Sequence, residues 1–423
     1  MKIAIPATFD PPTGAIGDKL AIIANYLQMR TSISPEFRSG FWIHVHSRKL
    51  ESLLGTEYKP AIRQGESMKL MEINNHYSDG TRAAAFSKSY RLAERHRHGR
   101  AKLVELTTKP MRKRYSRSRE IDPDNLGPAG VHLASKVSEF KLDPAAADDR
   151  ANRRFWNQWA ISRFLNGDYF AMRDRYGRLH TLLTQMPRAI RPFFSANGRP
   201  LKIVDVAACQ PLTIGILADH TRRQVTNRPT ARSPTPGITS PILSICSQFL
   251  AQQKERKPDI REWISLCESG EFYRYFHDSI RRQAEPAFAT IIKDSGWTMP
   301  VDLRDASYPS FKRACLIPIM GSLPAMLSNP VFKVVTRDFP TVAQYLIGTK
   351  QNEYQNTARI LQGFESQRMI DDIGQHLHTN YNGTAASTIH DALVVEAGFE
   401  SQASALIRQA FEPFGVVPGI KIE

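Results

Sequence analysis

The chain is poor in cysteine and has no long apolar run. Its four cysteines, spread over 423 residues, are Cys209, Cys246, Cys267 and Cys315, and no two of them form a C-x-x-C pair. This spacing argues against a structural zinc site and against a disulfide framework. No apolar run reaches the length of a membrane span, and the start MKIAIPATFDPP is not typical of a signal peptide. We therefore expect a cytoplasmic protein without a membrane partner.

Acidic residues are also scarce relative to basic ones. The chain holds 57 Lys and Arg against 41 Asp and Glu, a formal net charge of +16. The segment from Arg91 to Arg119 contains eleven Lys or Arg and two Glu. Such a run can bind a nucleic-acid backbone by releasing counterions, with Arg112, Lys113 and Arg114 as candidate contacts. The alternative is a solvated basic face or a mobile arm.

The chain shows no internal repeat, and residues 1–120 show no strong hydrophobic period. Later segments are clearer. An apolar run predicts a strand at Leu201–Val206, and the residues Ser387–Glu396 predict two short strands around a tight turn. Periodicity predicts helices over about 150–166, 242–286 with a break near Pro258, 341–349, 354–378 and 401–411, and a last strand over Val416–Ile422. Strands on both sides of a helical insert favour an α+β core.

Two acidic residues stand at the ends of predicted strands. Asp205 ends the first strand, and Asp391 lies in the turn between the other two. An Asp in such a place is most often a turn former or a helix cap. Two Asp on adjacent strands, however, are suited to hold two Mg²⁺ ions for attack of a hydroxyl on a phosphate. The backbone carbonyl of Val206 is a further candidate ligand.

A basic helix is the candidate for binding a triphosphate. In the segment Phe311–Gly321, Lys312, Leu316 and Met320 recur at intervals of four and share one helix face. Pro318 is unfavourable here, because it would kink or shorten the helix. The alternative is an amphipathic core helix whose Lys extends its charge to solvent.

In this order the segments resemble the palm and fingers of family A DNA polymerases, and more distantly the single-subunit RNA polymerases of phages and mitochondria. The resemblance runs from about residue 175 to the last residue. Gly177-Arg-Leu resembles the G-R-L segment, which implies a primer–template contact by Arg178. The segment from Val204 to Pro211 resembles motif A, and Ile389–Glu396 resembles motif C, V-H-D-E-L-V. The resemblance implies that Asp205 and Asp391 are metal ligands and that His390 neighbours the primer end.

The helical motifs match less closely. Lys312 with Met320-Gly321 resembles motif B, but Tyr308 stands where the family has Arg, Leu316 where it has an aromatic and Met320 where it has Tyr. Arg304 and Arg313 are the two candidates for the role of that Arg. Leu361-Gln-Gly resembles the Q-G-x-x-A-D helix, which implies that Gln362 lies near the primer terminus. Gln210 takes the place of the Glu that screens the ribose 2′-hydroxyl, which favours DNA synthesis over RNA synthesis.

The resemblance implies an α+β right-hand polymerase with an antiparallel palm sheet and helical fingers. We expect a basic accessory region over 1–149, thumb and palm elements over 150–225, fingers over 226–380 and the rest of the palm over 381–423. The implied cofactor is a pair of Mg²⁺ ions, with Mn²⁺ as an alternative. The implied partners are nucleoside triphosphates and a DNA primer–template, or RNA instead; the sequence does not set the oligomeric state. The small size, and the lack of a D-x-E exonuclease signature in residues 1–150, suggest replication of a phage or mobile element.

Two other functions fit parts of the sequence. An HD-type metal phosphohydrolase would use His390-Asp391 as its metal doublet, with His44, His46, His376 or His378 as further ligands, but that class needs the doublet on a helix. A non-catalytic nucleic-acid-binding replication protein would fit the charge equally well.

Overall fold

The computed structural model describes residues 1–33, 42–77, 87–97, 100–116, 123–149, 154–167, 169–226, 258–292, 298–351 and 353–423. The helical pattern predicted over 242–257 and the basic residues 117–119 lie outside these ranges. Within them, none of the helices combines the length and the apolar character that crossing a bilayer requires.

The described chain is a mixture of helices and short strands. The helices are α1 Ala15–Ile33, α2 Ser47–Leu54, α3 Tyr58–Ser67, α4 Glu94–Arg97, α5 Lys109–Ser116, α6 Pro123–Lys136, α7 Ala145–Asp148, α8 Phe155–Leu165, α9 Cys209–Thr226, α10 Asp259–Glu268, α11 Phe272–Arg281, α12 Tyr308–Met320, α13 Leu323–Leu327, α14 Pro330–Asp338, α15 Pro340–Lys350, α16 Asn356–Ser366, α17 Gln375–Asn380 and α18 Glu400–Phe411. The strands are β1 Lys2–Pro6, β2 Ile43–His44, β3 Met71–Asn74, β4 Ser89–Leu92, β5 Ala101–Glu105, β6 Lys141–Leu142, β7 Ala171–Arg173, β8 Leu179–Thr181, β9 Phe194–Ala196, β10 Arg199–Val206, β11 Phe288–Ile292, β12 Thr298–Asp302, β13 Ala386–Ile389, β14 Ala392–Glu396 and β15 Ile420–Ile422. A π-helical segment, Gln367–Gly374, joins α16 to α17.

The chain divides into two units. The first comprises Met1–Asp122, Ala134–Met172 and His180–Leu201. In it, β1 pairs antiparallel with β5, and the strands β2, β4 and β3 form an antiparallel sheet in that order. One apolar core joins these strands to α1, whose residues from Leu20 to Leu27 are almost all buried. The early residues therefore form a folded body, although their sequence shows no period.

The second unit comprises Pro123–Leu133, Arg173–Leu179 and Lys202–Glu423. Its sheet is built from β13, β14, the end of β10 and β15. The pairs β13–β14 and β10–β15 are antiparallel, and β10 neighbours β14. The predicted strands at Leu201–Val206 and Ser387–Glu396 are confirmed. The last strand is shorter than predicted: it begins at Ile420 instead of Val416, because Pro418 has no N–H to donate to a strand pair.

Helices pack closely around this sheet. Trp263 of α10 packs edge-on against Phe272, Phe276 and Phe339, and its indole N–H donates to the carbonyl oxygen of Pro211 at 2.7 Å. Gly215 of α9 permits this contact, since a Cβ there would lie 2.8 Å from the Trp263 ring. The packing fixes α9 at the end of β10, which carries one of the predicted site residues.

Candidate active site

The two predicted acidic residues come together in the second unit. The two strands β13 and β14 are buried, and Ile389 pairs with Ala392, so that His390 and Asp391 form a two-residue turn. The backbone N–H of Val206 at the end of β10 donates to the carbonyl oxygen of Asp391 at 3.3 Å. This bond places the turn beside the end of β10, one residue beyond Asp205.

Two carboxylates and two lysines act on Asp205. Val204 and Val206 are buried, so Asp205 lies on the opposite, partly exposed face of β10, beside its cross-strand partner Lys421. Burial, together with the charges of Asp391 and Glu423, raises the pKa of Asp205 to about 7, while Lys421 and Lys312 oppose the rise. A carboxylate in this setting gains from a nearby cation.

A third carboxylate belongs to the same cluster. Burial raises the pKa of Asp391, and it raises the pKa of Glu365 on α16 to about 7. The negative charges of Asp391, Glu365 and Asp205 all add to the effect of burial in raising the pKa of the Cys209 thiol. We call Asp205, Asp391 and Glu365 the acidic site.

Arg178 is the buried counter-charge of the acidic site. Its Nε donates to Glu365 Oε1 at 3.0 Å and its Nη2 to Oε2 at 2.7 Å, a two-point ion pair in which Glu365 is 3% exposed. Its charge also opposes the rise in the pKa of Asp391. The sequence predicts a nucleic-acid contact for Arg178. The structure gives two of its donors a partner inside the protein, and the contact with nucleic acid stays a prediction.

Lys312 projects from α12 toward the acidic site. Its ammonium lies 4.8 Å from the ring centroid of Tyr273 and 5.0 Å from that of Tyr308, and its charge acts on Asp205. The aromatic faces favour the ammonium without neutralising it. The predicted helix is confirmed, and it carries a cation whose charge acts on Asp205.

The helix continues through Pro318, contrary to the expected kink or shortening. A proline frees the carbonyl four residues earlier, here that of Ala314, and Asn329 Nδ2 donates to it at 3.2 Å. Lys350 is almost fully buried, and its ammonium donates to the carbonyls of Ile319 and Gly321, both at 2.8 Å. These side chains stabilise the end of α12 that the proline weakens.

The remaining predicted residues lie at varying distance from this centre. Arg304 Nη2 donates to Asp302 Oδ2 at 2.7 Å. Arg313 is the residue after Lys312, so its side chain is rotated from that of Lys312 by about 100° around the helix axis. Leu316 and Met320 are half-buried on the face of Lys312. Gln210 stands in the first turn of α9, which begins directly after Ala208 in the left-handed region at φ +52°. Gln362 lies on α16, three residues before Glu365.

The histidines do not form the doublet of a phosphohydrolase. His390 has a φ of +55° and lies in a hairpin turn, not in a helix. His376 and His378 are on α17, where the ring centroid of His378 lies 5.1 Å from that of His132. In the first unit His46 caps α2 by accepting the N–H of Arg48 at 3.1 Å. His44 bonds the carbonyl of Ser87 at 2.8 Å.

The predicted basic contacts lie on α5 in the first unit. Arg112 Nε donates to the carbonyl of Leu106 at 2.6 Å, and Arg114 Nη1 to those of Glu51 and Ser52. Lys113 lies between them. Arg91 and Arg97, earlier in the basic run, both pair with Glu72 at 2.6 Å. Much of this charge is therefore used to hold the first unit together.

The donor set for a metal is small. Among the described residues, no group of three His, Cys, Asp or Glu is arranged to hold an ion by itself. Asp205 and Asp391 have the oxygen chemistry that Mg²⁺ prefers, and their mutual repulsion would fall on binding a dication. The carbonyl of Val206 points to the same strand edge as its N–H, toward Asp391. These ligands fit Mg²⁺ if substrate phosphates and water complete its shell.

The sequence analysis missed four residues of this region: Glu365, Lys421, Lys350 and Asn329. An acid on the otherwise apolar face of Leu361 and Phe364 is the signal that would have identified Glu365. Lys421 follows from the strand pairing, but Asn329 and Lys350 can be found only from the structure.

Comparisons with known proteins gave likenesses among solved structures. No protein-family model and no curated protein matches the chain. Among solved structures, it is similar to the POL domain of Pol1 from M. smegmatis in complex with a DNA primer-template and dNTP. The identity is 13% and the TM-score is 0.23, over 74% of this chain and 51% of that chain. The chain thus spans about half the length of the structure it matches, and at this TM-score the likeness carries no argument about function.

Proposed function

We propose that the chain is a template-directed nucleotidyltransferase, a DNA polymerase of the family A type that uses two Mg²⁺ ions. The carrying observation is that Asp205 and Asp391, far apart in sequence, lie beside each other at the end of β10, and that the charge of Lys312 acts on Asp205. In this proposal, β10 and β13–β15 belong to the palm, and about 226–380 form the fingers. The polymerase extends a 3′-hydroxyl presented by a primer or by a bound protein.

The acidic and the basic residues of the site have different roles in this proposal. When bound, the two ions would activate the 3′-hydroxyl and neutralise the charge that develops on the phosphates. Asp205 and Asp391 hold the ions, with the carbonyl of Val206 as a further ligand. Lys312 binds the triphosphate, and the rings of Tyr273 and Tyr308 hold its ammonium in place. Arg178 and Glu365 position the turn that carries Asp391, and preorganised charge supplies most of the rate.

Primer extension tests the proposal directly. With a DNA primer–template, dNTPs and Mg²⁺, Asp205→Ala and Asp391→Ala should each reduce extension by a factor on the order of 10³. Asp278→Ala is the matched control, because its carboxylate lies on the exposed side of α11. Extension that survives both site changes would reject the assignment.

The nature of the product needs a separate comparison. Supplying dNTPs and NTPs in parallel on DNA and RNA templates distinguishes a DNA polymerase from the RNA-polymerase alternative, and Gln210 favours dNTPs. A chain that binds every template and extends none would instead be the non-catalytic replication protein. The departures at Tyr308, Leu316 and Met320 are the observation that supports this alternative.

A further inference from the structure

A groove in the first unit is distinct from the acidic site. It encloses about 990 Å³ beside the sheet β2–β4–β3 and the helices α2 and α3. That volume is at the upper end of the range of about 300–1,000 Å³ for ligand sites. Its lining includes three tyrosines and three cations: Tyr58, Tyr77, Tyr90, Lys59, Arg63 and Lys88. We call these six residues the tyrosine groove.

The floor of the tyrosine groove is apolar. Tyr90 is 5% exposed, and buried residues such as Leu50 and Ile62 lie beside it. Tyr77, in contrast, is 66% exposed. A flat apolar partner that stacked on Tyr77 would cover it.

The cations of the groove are available for a ligand. Lys59 and Arg63 are exposed at i and i+4 on one face of α3, where like charges repel. Neither side chain forms a hydrogen bond or ion pair with the residues that the structure describes, not even Arg63 with Glu66. Lys88 donates only to the neutral amide of Asn75, at 2.8 Å. Three cations against one carboxylate, that of Glu66, leave the lining with a net charge of +2.

The exposed ring of Tyr77 and the partly exposed ring of Tyr58, beside exposed cations, suit a ligand with flat faces and regularly spaced negative charges. We propose that the tyrosine groove binds a short segment of single-stranded nucleic acid, with bases stacked on Tyr77 and Tyr58 and phosphates on Lys59, Arg63 and Lys88. In a duplex the base faces are already stacked, so only a single strand offers both features. The site is separate from the basic run, of whose described arginines five bond within the fold: Arg91, Arg95, Arg97, Arg112 and Arg114.

Nucleic-acid binding by the tyrosine groove is tested with the full chain and a labelled single-stranded oligonucleotide. Fluorescence anisotropy measures the binding constant across a salt series. Chelator is present throughout, and the Asp205→Ala variant is measured in parallel, so failure of the proposed polymerase site leaves the result intact. Lys59→Ala/Arg63→Ala should weaken binding and make the slope of log K against log salt shallower by about 1.4, or about 0.7 per lost phosphate contact. Lys2→Ala/Lys141→Ala removes the same charge from exposed positions of the first unit and should leave the slope unchanged.

Stacking is tested at one ring. Tyr77→Ala should weaken binding about tenfold, while Tyr77→Phe keeps the ring and should change it by less than about twofold. Photo-cross-linking from a thiothymidine-bearing strand should label the peptide that holds Tyr58 or Tyr77. The proposal is overturned if the groove and control double variants behave alike, if duplex DNA binds the groove equally well, or if an acidic peptide displaces the strand at matched charge.

Discussion

The acidic site and the tyrosine groove differ in how far their charged side chains are exposed to water. In the acidic site, carboxylates are drawn out of water and crowded together, so that burial and repulsion raise the pKa of Asp205 and of Glu365 to about 7 each. In the groove, the cations of Lys59 and Arg63 stay exposed. Buried charge alters folding and titration, whereas exposed charge alters little until a ligand arrives. The two sites should therefore respond to the same kind of substitution in different assays.

The largest effect on stability is expected from Arg178→Ala. It leaves Glu365 buried without its partner, which should lower the free energy of unfolding by about 3–5 kcal/mol above pH 7. The loss should shrink below that pH, because Glu365 then takes up a proton. Urea unfolding at several pH values measures both. Arg178→Ala/Glu365→Gln should recover part of the loss; equal losses in the single and double variants would show that the ion pair does not matter.

Lys312→Ala should act on catalysis more than on folding. Without its charge, kcat/KM for the triphosphate should fall by about 10²-fold, since the lost contact strengthens as the phosphate charge develops. Lys312→Arg keeps the charge and should retain most of the activity. Lys333→Ala, an exposed lysine on α14, is the control; a similar loss there would refute a specific role for Lys312.

Asp205→Asn should stabilise the protein while it inactivates the site. Since the folded pKa of about 7 lies above the unfolded value near 3.8, the native chain loses stability as pH rises between these values. The variant escapes this loss. Its advantage should be near zero at about pH 4 and reach a plateau of about 1–2 kcal/mol above pH 7, allowing for solvent screening. Thermal melts over this pH range measure the difference. Mg²⁺ should raise the melting temperature of the native chain and leave that of the variant unchanged.

The smallest effect on stability is expected in the groove. Lys59→Ala/Arg63→Ala should change the free energy of unfolding by no more than about 0.5 kcal/mol, because it removes no partner and relieves a like-charge pair. Denaturant unfolding measures this next to the Arg178 variant. A large loss of stability in the groove variant would erase the contrast between the two sites.

The core of the acidic site could be read from the sequence because its signals are local. Apolar β-branched runs on both sides of Asp205 and Asp391 predict strands that end at those residues, and the spacing of Lys312 predicts its helix. The helix α1 was missed because it is buried on nearly every side, and such a helix shows no alternation of apolar and polar faces.

Other parts of the site depend on distant partners. Arg178 and Glu365 are 187 positions apart, and nothing near Arg178 reveals whether it binds a carboxylate or a phosphate. Pro318 predicts a broken helix, but the carbonyl that it frees, that of Ala314, accepts from Asn329, fifteen positions after Ala314. Periodicity describes single elements, so it cannot identify bonds of this kind.

The π-helical segment Gln367–Gly374 has a consequence for how this chain could change. A wide turn of this kind accommodates one more residue than an α-helix of equal length. Losing one residue there would let the backbone close into a regular helix of the same length, so Glu365 and Gln362 would keep their orientation relative to α17, whereas losing one residue from a regular α-helix rotates its two ends by about 100° relative to each other. This stretch can therefore lose a residue without moving the third carboxylate of the acidic site, a tolerance that the regular turns of α16 do not have.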